Sequence, residues 1–65
     1  MNTSEFRIAF IDEGEDYTCW FYDDMKNQYF DEEYTGDYYE GDRVRVTWYC
    51  QDGINRMVSS VEKIG

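Results

Sequence analysis

Carboxylates and tyrosines are the side chains of this sequence whose chemistry stands out, because they are numerous and closely spaced. The 65 residues include 15 aspartates and glutamates, seven tyrosines and no histidine. Without an imidazole base there is no Ser-His or Cys-His pair that could activate a nucleophile. A carboxyl group that acts as a general acid needs a desolvated cleft, which so short a chain rarely encloses. The sequence therefore predicts a protein that is not an enzyme and that uses no cofactor.

Two acidic runs could supply oxygen ligands to calcium, one at residues 12–16 and one at residues 37–42. Neither run has the spaced Asp-x-Asp-x-Asp-Gly pattern with a distal glutamate that marks a calcium-binding loop. The two cysteines, Cys19 and Cys50, lack the additional ligands that a zinc site needs. We therefore predict no metal site, and we expect both cysteines to be reduced, buried and structural.

The net charge of −9 is unevenly distributed along the chain. Residues 12–42 carry twelve acidic side chains and one basic side chain, Lys26, which gives −11. Residues 43–65 carry four basic and two acidic side chains, which gives +2, and residues 1–11 are neutral. Binding to a polyanion depends largely on Lys and Arg that neutralise phosphates. A protein this acidic is therefore not expected to bind nucleic acid directly.

Alternating apolar and polar residues predict five short strands joined by local turns, and thus a mainly β protein. The predicted strands span residues 5–11, 17–22, 28–34, 43–51 and 54–64. The inward-facing residues are expected to be Phe6, Ile8 and Phe10 in the first strand and Val44, Val46, Trp48 and Cys50 in the fourth. Polar, glycine-containing turns at residues 12–16 and 52–53 predict hairpins. The alternation of the last strand slips at residues 57–58, which predicts a bulge.

Residues 41–49, 52–53 and 58–62 resemble the last hairpin of small OB-like or SH3-like barrels. Those barrels often enter a strand through Gly-Asp, alternate valines, turn at Asp-Gly and finish on a serine-rich strand. The resemblance covers about a third of the chain and implies a fold rather than a function. We expect a single domain at residues 1–65, in which a five-stranded antiparallel sheet curls into such a barrel. The alternative is an open sheet with one short helix around residues 23–34.

The acidic segment could present negative charge at the spacing of phosphates. Residues two apart on a strand project from one face about 6.6 Å apart, close to the roughly 6–7 Å between successive phosphates of a nucleic-acid strand. Interleaved tyrosines would add contact area at a low cost in entropy. The predicted partner-binding carboxylates are Asp23, Asp24, Asp31, Glu32, Glu33, Asp37, Glu40 and Asp42. The predicted partner-binding tyrosines are Tyr34, Tyr38 and Tyr39.

In size, acidity and aromatic content the chain resembles the small DNA-mimic inhibitors of bacteriophages and mobile elements, including anti-CRISPR proteins and uracil-DNA glycosylase inhibitors. The resemblance is one of composition over the whole chain and involves no motif. It implies an inhibitor that blocks the basic groove of a DNA- or RNA-binding protein, as a monomer or small homo-oligomer. The alternative function is a small OB-like accessory or ligand-binding domain with no inhibitory role. No secretory signal and no apolar stretch of about 20 residues is present, so we expect a cytoplasmic protein, in the host cell if it is phage-encoded, that does not bind membranes.

Overall fold

The structure, a computed structural model, describes residues 1–65 and contains six β-strands and no helix. The strands are β1 (Asn2–Arg7), β2 (Phe10–Glu13), β3 (Cys19–Tyr22), β4 (Gln28–Asp31), β5 (Arg43–Cys50) and β6 (Arg56–Lys63). The prediction of a mainly β protein is confirmed, but the predicted number of five strands was wrong. No helix is present that could span a membrane.

The six strands form one curled, open sheet in the order β1-β5-β6-β4-β3-β2. All neighbouring strands are antiparallel except β4 and β6, which run parallel over two residue pairs. The prediction of a wholly antiparallel sheet was wrong at this pair. The long connection over residues 32–42 carries the chain past the position of β6, and the following hairpin returns β6 to lie beside β4 in the same direction.

The predicted strand at residues 5–11 is two strands, because the chain changes its pairing partner at Ile8 and Ala9. The amide of Ile8 donates to the carbonyl of Asp42 at 2.9 Å, whereas the amide of Ala9 donates to the carbonyl of Tyr22 at 2.9 Å. β1 therefore pairs with β5, and β2 pairs with β3. The bend also ends the alternation: Ile8 is buried, but Phe10, which was predicted to face the core, is 52% exposed.

Residues 23–34, for which a short helix was the alternative, contain a tight turn followed by β4. The carboxylate of Asp23 accepts hydrogen bonds from the amides of Met25 at 2.9 Å and Asn27 at 2.8 Å. Aspartate side chains that bind nearby amides in this way favour turns over helices. Lys26 has a φ of 65°, in the left-handed region that a right-handed helix excludes.

The predicted irregularity in the last strand is a bulge at Ser59. Thr47 of β5 lies opposite Ser60, and the next residue, Trp48, lies opposite Val58. Ser59 therefore has no counterpart in β5, and β6 bends locally, as bulged strands do. A hairpin joins β5 to β6 as predicted, but its loop spans residues 51–55 and not the two residues 52–53.

Trp48 packs against the core but is only half-buried. Its indole N–H donates to Oγ of Ser4 at 3.0 Å, and the guanidinium of Arg56 lies 5.0 Å from a ring centroid of Trp48. Both cysteines are free thiols, but only Cys19 is buried, and burial raises its pKa to about 11. The prediction that Cys50 is buried was wrong. β1 begins at Asn2, opposite Trp48, and therefore does not cover the last two residues of β5.

The core lies inside the curl of the sheet and consists largely of aromatic rings. The ring of Tyr29 stacks on those of Phe6 and Phe21, with centroids 5.0 and 5.4 Å away. Tyr38 meets Phe21 edge-on at 5.2 Å. Large rings supply much buried area per residue, which a chain of 65 residues needs in order to fold stably.

Candidate protein-binding surface

A row of large apolar side chains crosses the outer surface of the sheet, on the side opposite to the core. Directly paired residues of neighbouring strands project from the same face. The pairs Trp20–Phe30, Phe30–Met57 and Met57–Tyr49 therefore place four side chains in one line across β3, β4, β6 and β5. We call Trp20, Phe30, Met57 and Tyr49 the aromatic row.

The rings in the aromatic row contact each other and remain accessible. Those of Trp20 and Phe30 stack with 4.3 Å between centroids and 17° between planes. Both are half-buried, and Tyr49 is 38% exposed. Phe10 and Tyr22, whose centroids are 5.9 Å apart, continue the apolar surface onto β2. Large contiguous apolar patches are characteristic of interaction sites, which makes this surface the candidate site of the protein.

The local sequence explains why aromatic side chains occupy both faces of the same strands. β3 reads Cys-Trp-Phe-Tyr and β4 reads Gln-Tyr-Phe-Asp, and consecutive residues of a strand point to opposite faces. Phe21 and Tyr29 take the inner positions and are at most 2% exposed. Trp20 and Phe30 must then lie outside. No residue of the aromatic row was among the predicted site residues, although these unbroken aromatic runs were a usable signal.

Carboxylates border the aromatic row at both ends. Asp12 of β2 is exposed and lies directly opposite Trp20. Near the other end, Glu32 and Glu33 line a cleft of about 180 Å³ together with Tyr49. An apolar centre surrounded by a charged, solvated rim is the usual arrangement of a protein–protein interface.

The acidic charge of residues 12–42 is almost entirely unpaired within the chain. Of the twelve carboxylates in this segment, only that of Asp42 forms an ion pair, with Lys63 at 3.3 Å. The remaining ion pairs of the protein join Arg45 to Glu5 and Glu62, outside the segment. Eleven carboxylates therefore have no cationic partner, and they create a strongly negative potential over this part of the molecule.

Three of the predicted carboxylates are free to contact a partner. Asp24, Glu32 and Glu33 are exposed, and their carboxylates take part in no hydrogen bond or ion pair of the protein. Their charge is therefore compensated only by water and counterions. Bringing a cationic surface against them would cost no internal contact.

Asp23, by contrast, is part of the fold. It is only 6% exposed, and besides two backbone amides it accepts hydrogen bonds from the side chains of Asn27 at 2.9 Å and Tyr29 at 3.0 Å. Burial opposes the charged form, but these hydrogen bonds outweigh it and hold the pKa of Asp23 below its ordinary value. This carboxylate fixes the turn before β4 and is not presented to a partner.

The other four predicted carboxylates reach the surface but are also engaged in hydrogen bonds that order the loops. Asp31 accepts from the hydroxyl of Tyr38, Asp37 from the hydroxyl of Thr35, Glu40 from the amide of Ile11, and Asp42 from the amide of Tyr39. The bond from the backbone amide, together with Lys63, holds the pKa of Asp42 below its ordinary value. These hydrogen bonds leave the four carboxylates less free to move than those of Glu32 and Glu33.

Only one of the three predicted tyrosines is available to a partner. Tyr39 is 63% exposed, whereas Tyr34 and Tyr38 are 7% and 3% exposed. The hydroxyl of Tyr34 donates to the carbonyl of Tyr38 at 3.0 Å, and that of Tyr38 donates to Asp31 at 2.8 Å. Burial raises the pKa of both phenols, that of Tyr34 to about 12. These two side chains anchor the connection between β4 and β5 to the core.

No group of three or more cysteine, aspartate or glutamate side chains is arranged so that it could hold a metal ion. No protein-family model, curated protein or solved structure matches this chain. The aromatic row with its border of unpaired carboxylates is therefore the feature from which a function can be derived.

Proposed function

We propose that the protein is an acidic protein-binding inhibitor that imitates the charge of nucleic acid. It occupies the basic groove of a DNA- or RNA-binding protein, such as a CRISPR effector or a DNA-processing enzyme, and excludes the nucleic acid by competition. The observation that supports this proposal is the combination of a partly exposed aromatic row with carboxylates that have no cationic partner.

The charge of the surface favours a basic partner over a neutral one or a second copy of the chain. Two copies, each with a net charge of −9, would bring unpaired carboxylates close together. Like charges that are desolvated against each other are strongly unfavourable at an interface. A groove lined by Lys and Arg would instead neutralise Glu32 and Glu33 while the aromatic row is buried.

The two kinds of side chain are expected to contribute to different steps of binding. Long-range attraction between opposite charges speeds association and weakens as the salt concentration rises. Burial of large rings in a desolvated centre mainly slows dissociation. We therefore expect carboxylate substitutions to lower the association rate and substitution of Trp20 to raise the dissociation rate.

The finer fold assignment, a small OB-like or SH3-like barrel, belongs to the same proposal. The bend at Ile8 and Ala9 joins β1 to β2, which are the two outermost strands of the curled sheet. Barrels of this kind bind partners on their sheet surface. The second candidate function, an OB-like accessory or ligand-binding domain, is favoured by the same aromatic row, because stacked rings on a sheet also bind the bases of single strands.

A pair of matched variants tests the inhibitor proposal. Glu32→Gln/Glu33→Gln removes two free carboxylates beside the aromatic row, and Glu5→Gln/Glu62→Gln removes two carboxylates that pair with Arg45. Both changes make the net charge less negative by two. The wild-type protein and both variants are immobilised, and each is used to capture proteins from a bacterial lysate. Association rates with the purified captured protein are then measured at low and high salt.

We expect a captured protein that binds DNA or RNA and releases a fluorescent oligonucleotide when this chain is added. The Glu32→Gln/Glu33→Gln variant should associate at least threefold more slowly at low salt, and the Glu5→Gln/Glu62→Gln variant should associate at close to the wild-type rate. Equal rates for all three proteins would contradict the proposal. Direct binding of the oligonucleotide to this chain would favour the second candidate function instead.

A further inference from the structure

The side of β6 that faces away from β5 is only partly covered by another strand. β4 pairs with β6 as far as Phe30 and Met57, and no strand continues along β6 beyond that pair. The end of β6 from Val58 to Lys63 therefore has β5 on one side and no strand on the other. Edges of this kind can accept an added strand from another chain.

The register shows which backbone groups line this open edge. In an antiparallel ladder, the backbone groups of successive residues point alternately towards the partner strand and away from it. The amide of Ile64 donates to the carbonyl of Arg43 at 2.9 Å, so residues 64 and 62 point towards β5. The N–H and C=O groups of Val61 and Lys63 must then point away from β5. None of the hydrogen bonds outside the ladders uses them.

A groove of about 160 Å³ runs along the same edge. One wall is the stretch of β6 from Val58 to Val61. The other consists of Asp31, the last residue of β4, and the connection that follows, which contributes the carboxylates of Glu33 and Asp37. Glu33 has no hydrogen-bond or ion-pair partner for its carboxylate. The groove thus has the unpaired backbone groups of Val61 on one side and negative charge on the other, and Lys63 continues the open edge beyond the groove.

We propose that this groove binds an extended segment of a partner protein that contains lysine or arginine and adds as a strand to β6. The backbone of the segment pairs with Val61 and Lys63, which lie about 6.6 Å apart along the strand. Its cationic side chains reach Glu33 and the neighbouring carboxylates. Charge complementarity selects this occupant over a nucleic acid or a second copy of the chain, both of which are negative. The groove adjoins the aromatic row and shares Glu33 with its border, but the proposal uses the backbone edge of β6 and holds whether or not the partner binds nucleic acid.

Nuclear magnetic resonance of the ¹⁵N-labelled protein tests this proposal with synthetic peptides and requires no captured partner. The probe is a six-residue peptide that alternates lysine and valine. One control replaces every lysine with glutamine, and a second keeps the lysines but carries N-methyl groups on alternate backbone nitrogens. We expect the lysine peptide to slow hydrogen exchange at the amides of Val61 and Lys63 at least tenfold. The amide of Glu62, which points towards β5, should change little.

Both control peptides should bind at least tenfold more weakly than the lysine peptide. Glu33→Gln should weaken binding of the lysine peptide at least threefold, whereas Glu5→Gln, which removes the same charge elsewhere, should not. Equal binding of the N-methylated peptide, with shifts spread over the whole acidic surface, would mean non-specific attraction and would overturn the proposal. Changes at Val61 and Lys63 that depend on protein concentration without peptide would assign the edge to a second copy and also overturn it.

Discussion

On the outer surface of β1 and β5, Arg45 pairs with a carboxylate on each side, whereas the carboxylates around the outer surface of β2, β3 and β4 have no cationic partner. Arg45 of β5 lies between Glu5 at 3.1 Å and Glu62 at 2.8 Å. Trp20 and Phe30 stack on each other as half-buried rings of the outer surface, with free carboxylates nearby. In the first region the carboxylates of Glu5 and Glu62 are neutralised within the chain, and in the second region the carboxylates are not.

We interpret the second region, whose charge is not paired within the chain, as the one that serves binding. Mutual repulsion among unpaired carboxylates destabilises the compact state, and exposed rings lose the benefit of burial. Local features that a fold does not need are expected at functional sites. The comparison also weakens the case for direct nucleic-acid binding, because Arg45 is engaged by two carboxylates and Trp48 faces the core.

The largest expected change in stability distinguishes the inner face of β3 and β4 from their outer face. Phe21→Ala removes a ring that is 0% exposed and should lower the free energy of unfolding by about 3–5 kcal/mol. Phe30→Ala removes a half-buried ring of the aromatic row and should cost about 1–2 kcal/mol. Urea unfolding followed by circular dichroism measures both. If Phe30→Ala costs as much as Phe21→Ala, the aromatic row is a second structural layer and not a free surface.

A smaller effect separates the structural carboxylate from the free ones. Asp23→Asn places an amide group against the donors Asn27 and Tyr29, and should cost about 1–3 kcal/mol at pH 7. Because hydrogen bonds lower the folded-state pKa of Asp23, its contribution is present above about pH 4 and is lost as the pH falls through that lowered pKa. The difference in stability between wild type and variant should therefore shrink towards pH 2, which urea unfolding at several pH values measures. A constant difference would mean that the charge of Asp23 is not stabilising.

The smallest effect compares the two surfaces directly. Glu32→Gln/Glu33→Gln should leave the free energy of unfolding within about 0.5 kcal/mol of wild type, or raise it slightly, because it relieves repulsion. Glu5→Gln/Glu62→Gln breaks both ion pairs of Arg45 and should cost about 0.2–1 kcal/mol, less at high salt. Thermal unfolding at two salt concentrations tests the order of the two variants. The reverse order would mean that the carboxylates of Glu32 and Glu33 stabilise the folded protein and are not free.

Much of the fold could be predicted from local pattern, but part of the candidate site could not. The fourth and fifth predicted strands and the hairpin between them are present because alternating valines and an Asp-Gly turn encode them locally. The bend at Ile8 depends on hydrogen bonds to Asp42 and Tyr22, which are distant in sequence. Tyr34 and Tyr38 were predicted to be contact residues because their neighbours in the sequence are acidic. The neighbours do not reveal that both rings fill part of the core.

The sequence by itself determined the class of the protein, the segregation of its charge and the absence of a histidine-dependent site, because composition and period-two alternation are local properties. It also determined that consecutive aromatic residues in short strands must occupy both faces. Only the tertiary structure decided which face is inside. The register across β3, β4, β6 and β5 aligns Trp20, Phe30, Met57 and Tyr49 into one row, although they come from segments up to 37 residues apart. Burial of Asp23, Tyr34 and Tyr38 likewise appears only in the folded sheet, although their side-chain hydrogen-bond partners lie within seven residues along the chain.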